Sequence, residues 1–221
     1  MRVYTYPPAP NPFRLALFLA EKGLEPPVEV VNIRRGEQFA PAFRARNPNC
    51  DVPVLELEDG TWISQLPAIF YYLERRFPAP SLYGPDDVAA ARSVMWEHLA
   101  ASNGLAAVAE VLRNSSPAMA NRALVGPHDY PQIPALVERG RRRIRNFFAD
   151  LDARLSECHY VAGDHFGIAD ITAWVTVDFA TWVHEHPAEE QRALRRWHAA
   201  LAERPAFRRA LEARSAFTPP G

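Results

Sequence analysis

The sequence has very few of the residues that define several large classes of protein. Its 221 residues include two cysteines, Cys50 and Cys158, which are too few for a disulfide framework. No apolar run approaches the ~18 residues that a membrane helix requires, and Met1 leads into a strand without a charged and then apolar leader. We therefore expect a cytoplasmic protein with reduced thiols and no membrane partner.

Lysine is almost absent, although charge is nearly balanced. The 25 basic and 26 acidic residues leave a net charge of −1, so no general attraction to nucleic acid is expected. Arginines at residues 139–145 form the one basic concentration; the favoured interpretation is a solvated helix face, with polyanion binding as the alternative. Lys22 is the only lysine, and this bias, with abundant alanine and proline, suggests a GC-rich bacterial genome.

Signatures of nucleotide, hydrolase and metal chemistry are also missing. The sequence has neither a glycine-rich phosphate loop of the Walker or dinucleotide type nor a Gly-x-Ser-x-Gly elbow. His184 and His186, on either side of Glu185, face different directions at a helix end, so this segment is interpreted as surface charge. No metal is expected as a cofactor.

The residues that are present predict an α/β unit followed by helices. In order, the α/β elements are a strand at 2–6, a helix from 11 to 22 with Asn11 as its cap, a strand at 28–33, a short helix at 41–46, a strand at 54–57, a two-residue turn at 59–60, a strand at 61–63 and a helix capped by Ser64. We predict a first domain at residues 1–78, a proline-rich linker at 79–86 and a helical domain at 87–221.

Three features predict how the helical part is divided. Asp86 or Asp87 caps a long helix that runs toward Arg113. A second helix spans residues 131–157, with Ile144, Phe148, Leu151 and Leu155 on one stripe. Residues 114–130 form a loop or a break between these helices.

A proline directly before a buried strand is the most specific motif. Pro53 cannot donate to a sheet ladder, so it belongs at the strand entrance, and the Val52–Pro53 bond is a candidate cis peptide. Loop, Val-Pro, strand, hairpin, strand and helix in this order resemble the second half of the thioredoxin-like domain of glutathione transferases. Ala9-Pro10-Asn11, followed by Arg14, is similar to the Ser-Pro-Asn loop of members near the nu class and the yeast nitrogen-regulator prion.

The resemblance implies a fold and an assembly. The fold is an α/β thioredoxin-like N-terminal domain plus an all-α C-terminal domain, with the ligand in a cleft between them. In this family a Ser or Thr cap, two residues and an Asp open the central helix of the second domain; Gly167 takes the cap position here, so Asp170 is expected to lose its side-chain partner. A homodimer is also implied.

The resemblance also implies a glutathione site. The catalytic residue would be Asn11, placed near the sulfur, where a donor favours the thiolate; alternatively Asn11 is only a helix cap. The implied glutathione-binding residues are Gln38, Asn49, Val52, Pro53, Gln65 and Leu66. The implied pocket for a small-molecule electrophile contains Ala9, Phe13 and Met95.

Two departures from the family pattern lower the expected activity. Ala9 lacks the serine hydroxyl that would donate to the thiolate, and Tyr6, three residues earlier, is expected to pack. Leu66 lacks the hydroxyl that would hold the γ-glutamyl carboxylate, a loss of ~1.5 to 3 kcal/mol. The alternatives are a non-catalytic binding or regulatory protein, and a specialised isomerase, lyase or thiol-adding enzyme with a different thiol.

Cys50 replaces a residue that is commonly glycine in the loop before Val52. A thiol near a thiol-binding cleft could form a mixed disulfide with its ligand. Packing as a small hydrophobic residue is the favoured interpretation.

Overall fold

The structure, a computed structural model, describes residues 1–217 and divides into two compact units. The first unit contains Met1–Pro80, Val125–His128 and residues 205–217; the second contains Ser81–Leu124 and Asp129–Arg204. The predicted boundaries at residues 78 and 87 stay predictions. Residues 218–221 of the predicted helical domain lie outside the described residues.

The first unit is a four-stranded mixed sheet with helices. Its elements are β1 (Arg2–Thr5), α1 (Pro10–Lys22), β2 (Val28–Val30), α2 (Pro41–Arg46), β3 (Val54–Glu56), β4 (Trp62–Ser64), α3 (Leu66–Arg76) and the last helix of the chain, α9 (Pro205–Ala216). The strand order is β2-β1-β3-β4, with β1 parallel to β2 and β3 antiparallel to both β1 and β4. The predicted α/β architecture is confirmed.

Aromatic packing between α1 and α3 lies in the hydrophobic core of the first unit. Phe18 and Phe70 are fully buried and stack with their ring centroids 4.6 Å apart. Buried aromatic pairs of this kind contribute about 0.5–1.5 kcal/mol beyond the area that they bury. This contact with α3 accounts for part of the buried apolar face of α1.

The hairpin between β3 and β4 is longer than predicted. The Leu57 amide donates to the Thr61 carbonyl at 2.8 Å, and the Gly60 amide donates back to Leu57 at 3.1 Å. Gly60 has φ 84, so the loop has three residues, with glycine in the left-handed position. The predicted two-residue turn is wrong, and so is the cap at Ser64, because that residue is the last of β4.

The second unit is helical. Its helices are α4 (Asp87–Leu99), α5 (Ala106–Ser115), α6 (Ala135–Glu157), α7 (Ile168–Ala180) and α8 (Arg192–Ala202), and a π-helical stretch at Ala100–Leu105 joins α4 to α5. The cap at Asp86 is confirmed, since its side chain accepts from the Ala89 amide at 2.8 Å. No helix within residues 1–217 has the length and apolarity needed to cross a bilayer.

Four of the five arginines in the basic run of α6 pair with two carboxylates, Glu110 and Glu185. The ion pairs are Arg139–Glu110 at 2.8 Å, Arg143–Glu110 at 3.2 Å, Arg141–Glu185 at 2.8 Å and Arg145–Glu185 at 3.1 Å. Arg139 and Arg145 are 59% and 62% exposed, so the run lies on a solvated helix face as predicted, and the ion pairs are an addition to that interpretation. Glu185 is wrongly interpreted as surface charge, because its side chain is 8% exposed.

Asp170 at the start of α7 is fully buried and has three donors. Its carboxylate accepts from the Val161 amide at 3.0 Å, the Gly167 amide at 3.1 Å and the Trp197 indole at 3.1 Å. The expectation that Asp170 loses its side-chain partner is wrong, because the Trp197 indole, 27 residues away, supplies one beside the two backbone amides. Burial raises the pKa of Asp170 to about 7, against the opposing effect of these hydrogen bonds.

The missing cap hydroxyl at Gly167 has a steric cause. The Leu82 carbonyl approaches the start of α7 and accepts from the Ile168 amide at 3.0 Å. A Cβ atom at position 167 would lie 2.4 Å from that carbonyl oxygen. Glycine is therefore required by the backbone that occupies the space of a cap side chain.

We expect Gly167→Ser, which restores the family's cap residue, to destabilise the protein. The new Cβ has no room beside Leu82, and overpacking of this kind costs about 1–3 kcal/mol, more than a cap returns. Chemical denaturation of the variant and the wild type measures the difference. A variant as stable as the wild type, or more stable, would contradict the steric explanation.

Candidate functional site

The start of α1 differs from the prediction by two residues. Ala9, not Asn11, is the N-cap, with φ −73 and ψ 146, and the Phe13 amide donates to the Ala9 carbonyl at 3.0 Å. Pro10 and Pro12 have no N–H, so Asn11 carries the one amide hydrogen among the first three helical residues. The predicted cap at Asn11 is wrong because proline at the first helical position starts the helix earlier.

The side chain of Asn11 keeps its donor available. Asn11 is exposed, and its Oδ1 accepts from Arg14 Nη1 at 2.8 Å. Within residues 1–217 the side-chain NH₂ of Asn11 has no partner. Arg14 thus fixes the amide so that its two N–H groups, with the Asn11 main-chain N–H, can meet an anion at the helix start.

Tyr6 and Phe13 lie beneath the end of α9. Tyr6 is 3% exposed and packs edge-on against Phe217 at 5.6 Å between ring centroids, so it packs as expected. Phe13 is 1% exposed, and the Arg214 guanidinium lies 3.9 Å from its ring centroid. A ligand above this ring would meet Arg214 first, and the role of Phe13 in an electrophile pocket stays a prediction.

The main chain before β3 is open. The Val52–Pro53 peptide bond is cis, and Val54 is the first residue of the strand. No hydrogen bond involves the N–H or C=O of Val52 among the residues that the structure describes. Because buried backbone groups are normally paired, a half-buried, unpaired residue beside a strand can accept the main chain of a peptide-like ligand.

Cys50 is enclosed in the loop before Val52. It is 3% exposed, and its Sγ lies 3.5 Å from the Pro48 carbonyl oxygen. Its φ of 52 is in the left-handed region, which accounts for the glycine that is common at this position. The burial of the thiol agrees with the packing interpretation.

Gln65 connects β4 to α3 in a strained conformation. Its φ is 69, and its carbonyl accepts from the Ala68 and Ile69 amides at 3.0 and 3.1 Å. Pro67 has no N–H, so the free amide at the start of this helix is that of Leu66. Strain of this kind costs about 1–3 kcal/mol and is concentrated at functional sites.

Asp51 is a further candidate site residue, which the sequence analysis did not name. Its Oδ1 accepts from Asn47 Nδ2 at 2.8 Å, and its Oδ2 accepts from Gln65 Nε2 at 2.6 Å. Asp51 thereby joins the loop before Val52 to Gln65, the N-cap residue of α3. The signal in the sequence is a carboxylate directly before the Val-Pro pair.

The remaining predicted residues are dispersed. Gln38 is 3% exposed, and its Oε1 has no hydrogen-bond partner in the described part of the chain. Asn49 is exposed on the loop before Cys50. Met95 is 49% exposed on α4 and belongs to the second unit. The structure thus joins Asp51 and Gln65 directly and leaves the roles of the other three as predictions.

Comparisons with known proteins agree with this fold. Family models for the N-terminal and C-terminal domains of glutathione S-transferase match residues 9–76 and 116–205. Glutathione S-transferase 2 of Saccharomyces cerevisiae is 34% identical over 218 residues, 97% of this chain and 91% of that protein.

One further relative and one solved structure extend the comparison. Maleylacetoacetate isomerase of Pseudomonas aeruginosa is 40% identical over 94 residues, 42% of this chain and 44% of that protein. The crystal structure of Gtt2 from S. cerevisiae superposes with a TM-score of 0.87 at 31% identity, covering 95% of this chain and 100% of that one. A sequence match over nearly the whole length and both domain models lead to one conclusion: the chain belongs to the glutathione S-transferase family.

Proposed function

We propose that the protein binds glutathione in its first unit and transfers the thiol to a small electrophile or a disulfide, with weak generic activity. The observation that carries this proposal is the unpaired main chain of Val52, next to a strand and in the same loop as Asp51. The cysteinyl backbone of a ligand can pair with the N–H and C=O of Val52, as a strand does when it is added to the edge of a sheet. Glutathione is peptide-like and offers the matching N–H and C=O.

The thiol chemistry would depend on Asn11. When the ligand sulfur lies at the start of α1, the Asn11 main-chain and side-chain N–H groups can donate to it and favour the thiolate. The sulfur electron pair then forms a bond to an electrophilic carbon, and the leaving group departs with its electrons. Without a hydroxyl at Ala9 the pKa of the bound thiol falls less than in a site that has one, so the reaction is slow.

The same proposal includes further ligand contacts and a dimer. Gln38 and Asn49 would contact the glycine end of glutathione, and Ala9, Phe13 and Met95 would contact the electrophile. The partners would be a small molecule and a second copy in a homodimer, without nucleic acid or membrane. We also propose a bacterial source and a cytoplasmic location. Sedimentation at micromolar concentration tests whether the protein is a dimer.

A second candidate is a specialised enzyme that adds or isomerises with a thiol. The missing hydroxyls at Ala9 and Leu66 favour it over general conjugation, and one relative is named an isomerase. A binding protein without catalysis is the third candidate. Detectable glutathione binding with no conjugation or disulfide exchange would select the third over the first.

We expect Ala9→Ser to raise kcat/KM for a chloronitrobenzene substrate about tenfold. The new hydroxyl can donate to the thiolate, and a hydrogen bond to a charged group is worth about 1.5–3 kcal/mol.

Leu66→Thr should lower the KM for glutathione, because the threonine hydroxyl can donate to the γ-glutamyl carboxylate. Threonine is chosen over serine because Leu66 is 4% exposed and the smaller residue would leave a larger cavity.

Asn11→Ala should lower the residual wild-type rate about tenfold, because the variant loses a hydrogen-bond donor to the thiolate. Calorimetry with glutathione and thermal unfolding of each variant separate binding and folding from chemistry. A robust wild-type rate that neither Asn11→Ala nor Ala9→Ser changes would place the thiol elsewhere.

A further inference from the structure

We infer that the subsite at the start of α3 selects the amino group of its thiol ligand, and not the neighbouring carboxylate, through Asp51. This inference rests on the proposed function, because it assumes a thiol ligand in the first unit. It adds a specificity-determining residue and a ligand class: thiols that carry an amine on the acyl group, with or without a carboxylate beside it.

The charge on Asp51 is not compensated by a cation. Its two partners, Asn47 and Gln65, are neutral amides at 2.8 and 2.6 Å. Within residues 1–217 no Lys, Arg or His side chain pairs with it. A carboxylate has about four lone-pair positions, so acceptor capacity remains for a ligand. The residue is half-buried, where charge is screened less than at full exposure.

The start of α3 has lost most of its capacity to bind an anion. A helix N-terminus normally offers several free amides to a carboxylate. Here Pro67 has none, and the Ala68 and Ile69 amides already donate to the Gln65 carbonyl. Among the described residues, the Leu66 amide remains free to donate to an anion, and the Leu66 side chain supplies no hydroxyl.

These two features act in the same direction. The γ-glutamyl end of glutathione carries an ammonium group and a carboxylate on one carbon. The ammonium has three donors that can reach the free lone pairs of Asp51, whereas the carboxylate meets one amide and the negative charge of Asp51. The ammonium should therefore supply most of the affinity at this end, and the carboxylate little.

Calorimetric titration of the whole protein with three thiols tests the inference. The ligands are glutathione, glutaryl-cysteinylglycine, which lacks the amine, and 4-aminobutyryl-cysteinylglycine, which lacks the carboxylate. In the wild type we expect loss of the amine to raise Kd about tenfold or more, and loss of the carboxylate to change Kd less than threefold. In Asp51→Asn the amine should lose its advantage, and the amine-free ligand should bind about tenfold better than it does to the wild type.

Glu58→Gln is the matched control, because it removes one negative charge from a 95% exposed side chain of the same unit. It should leave the ranking of the ligands unchanged. If Asp51→Asn does not fold, as thermal unfolding will show, the wild-type ranking decides alone. Wild-type protein that binds none of the three thiols would refute the proposed function. Binding of glutathione with the carboxylate as the more costly loss, or with a ranking that Asp51→Asn leaves unchanged, would overturn this inference and leave the proposed function intact.

Discussion

Replacing Asp170 with alanine should lower the free energy of unfolding by about 3–5 kcal/mol. The variant leaves three buried donors without an acceptor: the Val161 and Gly167 amides and the Trp197 indole. Each orphaned donor costs about 1–3 kcal/mol, and the relief of burying a carboxylate offsets part of the sum. Denaturant titration at several pH values provides the measurement.

The pH dependence of this loss has a defined sign. Burial raises the pKa of Asp170 to about 7 in the folded protein, above the 3.8 of an unperturbed aspartate. Protonation is therefore favoured by folding, so this group stabilises most below pH 4 and its contribution decreases as the pH rises to 7. The difference between wild type and variant should shrink over that range.

Asp150→Ala is the control for Asp170, because Asp150 is an exposed carboxylate of α6 in the same unit. It should change stability by less than about 0.5 kcal/mol. A loss at Asp170 no larger than the loss at Asp150 would contradict the account of the α7 start.

Replacing Lys22 with methionine should also lower the free energy of unfolding by about 3–5 kcal/mol. The Lys22 side chain is fully buried, and its Nζ pairs with Glu74 and donates to the Phe77 carbonyl at 2.8 Å and the Pro80 carbonyl at 2.6 Å. All three donors of the ammonium are thus used. Methionine preserves the packing of the stem but leaves Glu74 without its cation and both carbonyls without this donor.

The only lysine of the chain gives this prediction a second readout. An amine-selective reagent should leave Lys22 unmodified in the folded protein, and Lys22 should react only when α1 and α3 separate. Arg75→Met is the stability control, since Arg75 is an exposed cation of α3. Rapid modification of Lys22 in the native protein, or equal stability of the two methionine variants, would contradict its buried role.

Local signals in the sequence predict the fold well. Asp86 caps α4 because its side chain needs a donor only three residues away. Asn11 is misplaced because two prolines compete to start the same helix, and Pro10 comes first. The hairpin turn and the Val-Pro pair predict the sheet that contains β3 and β4, since these signals depend on adjacent residues.

Contacts between distant residues could not be predicted in the same way. Two of the three partners of Asp170 are nine residues upstream and 27 downstream, and the arginines of α6 meet carboxylates about 29 to 44 positions away. For the site, the family pattern indicates Gln65 and Leu66, but the bond from Gln65 to Asp51 depends on how β4 returns beside the loop. Tertiary packing decides these pairs.

Amide hydrogen exchange at Val52 and Leu66 tests the central claim, a thiol-peptide site in the first unit, most directly. Neither amide has a hydrogen-bond partner among residues 1–217, so both should exchange rapidly in the free protein. Under saturating glutathione, verified by calorimetry, we predict strong protection of the Val52 amide and weaker protection of the Leu66 amide. Bound glutathione that leaves the exchange of both amides unchanged would contradict the account.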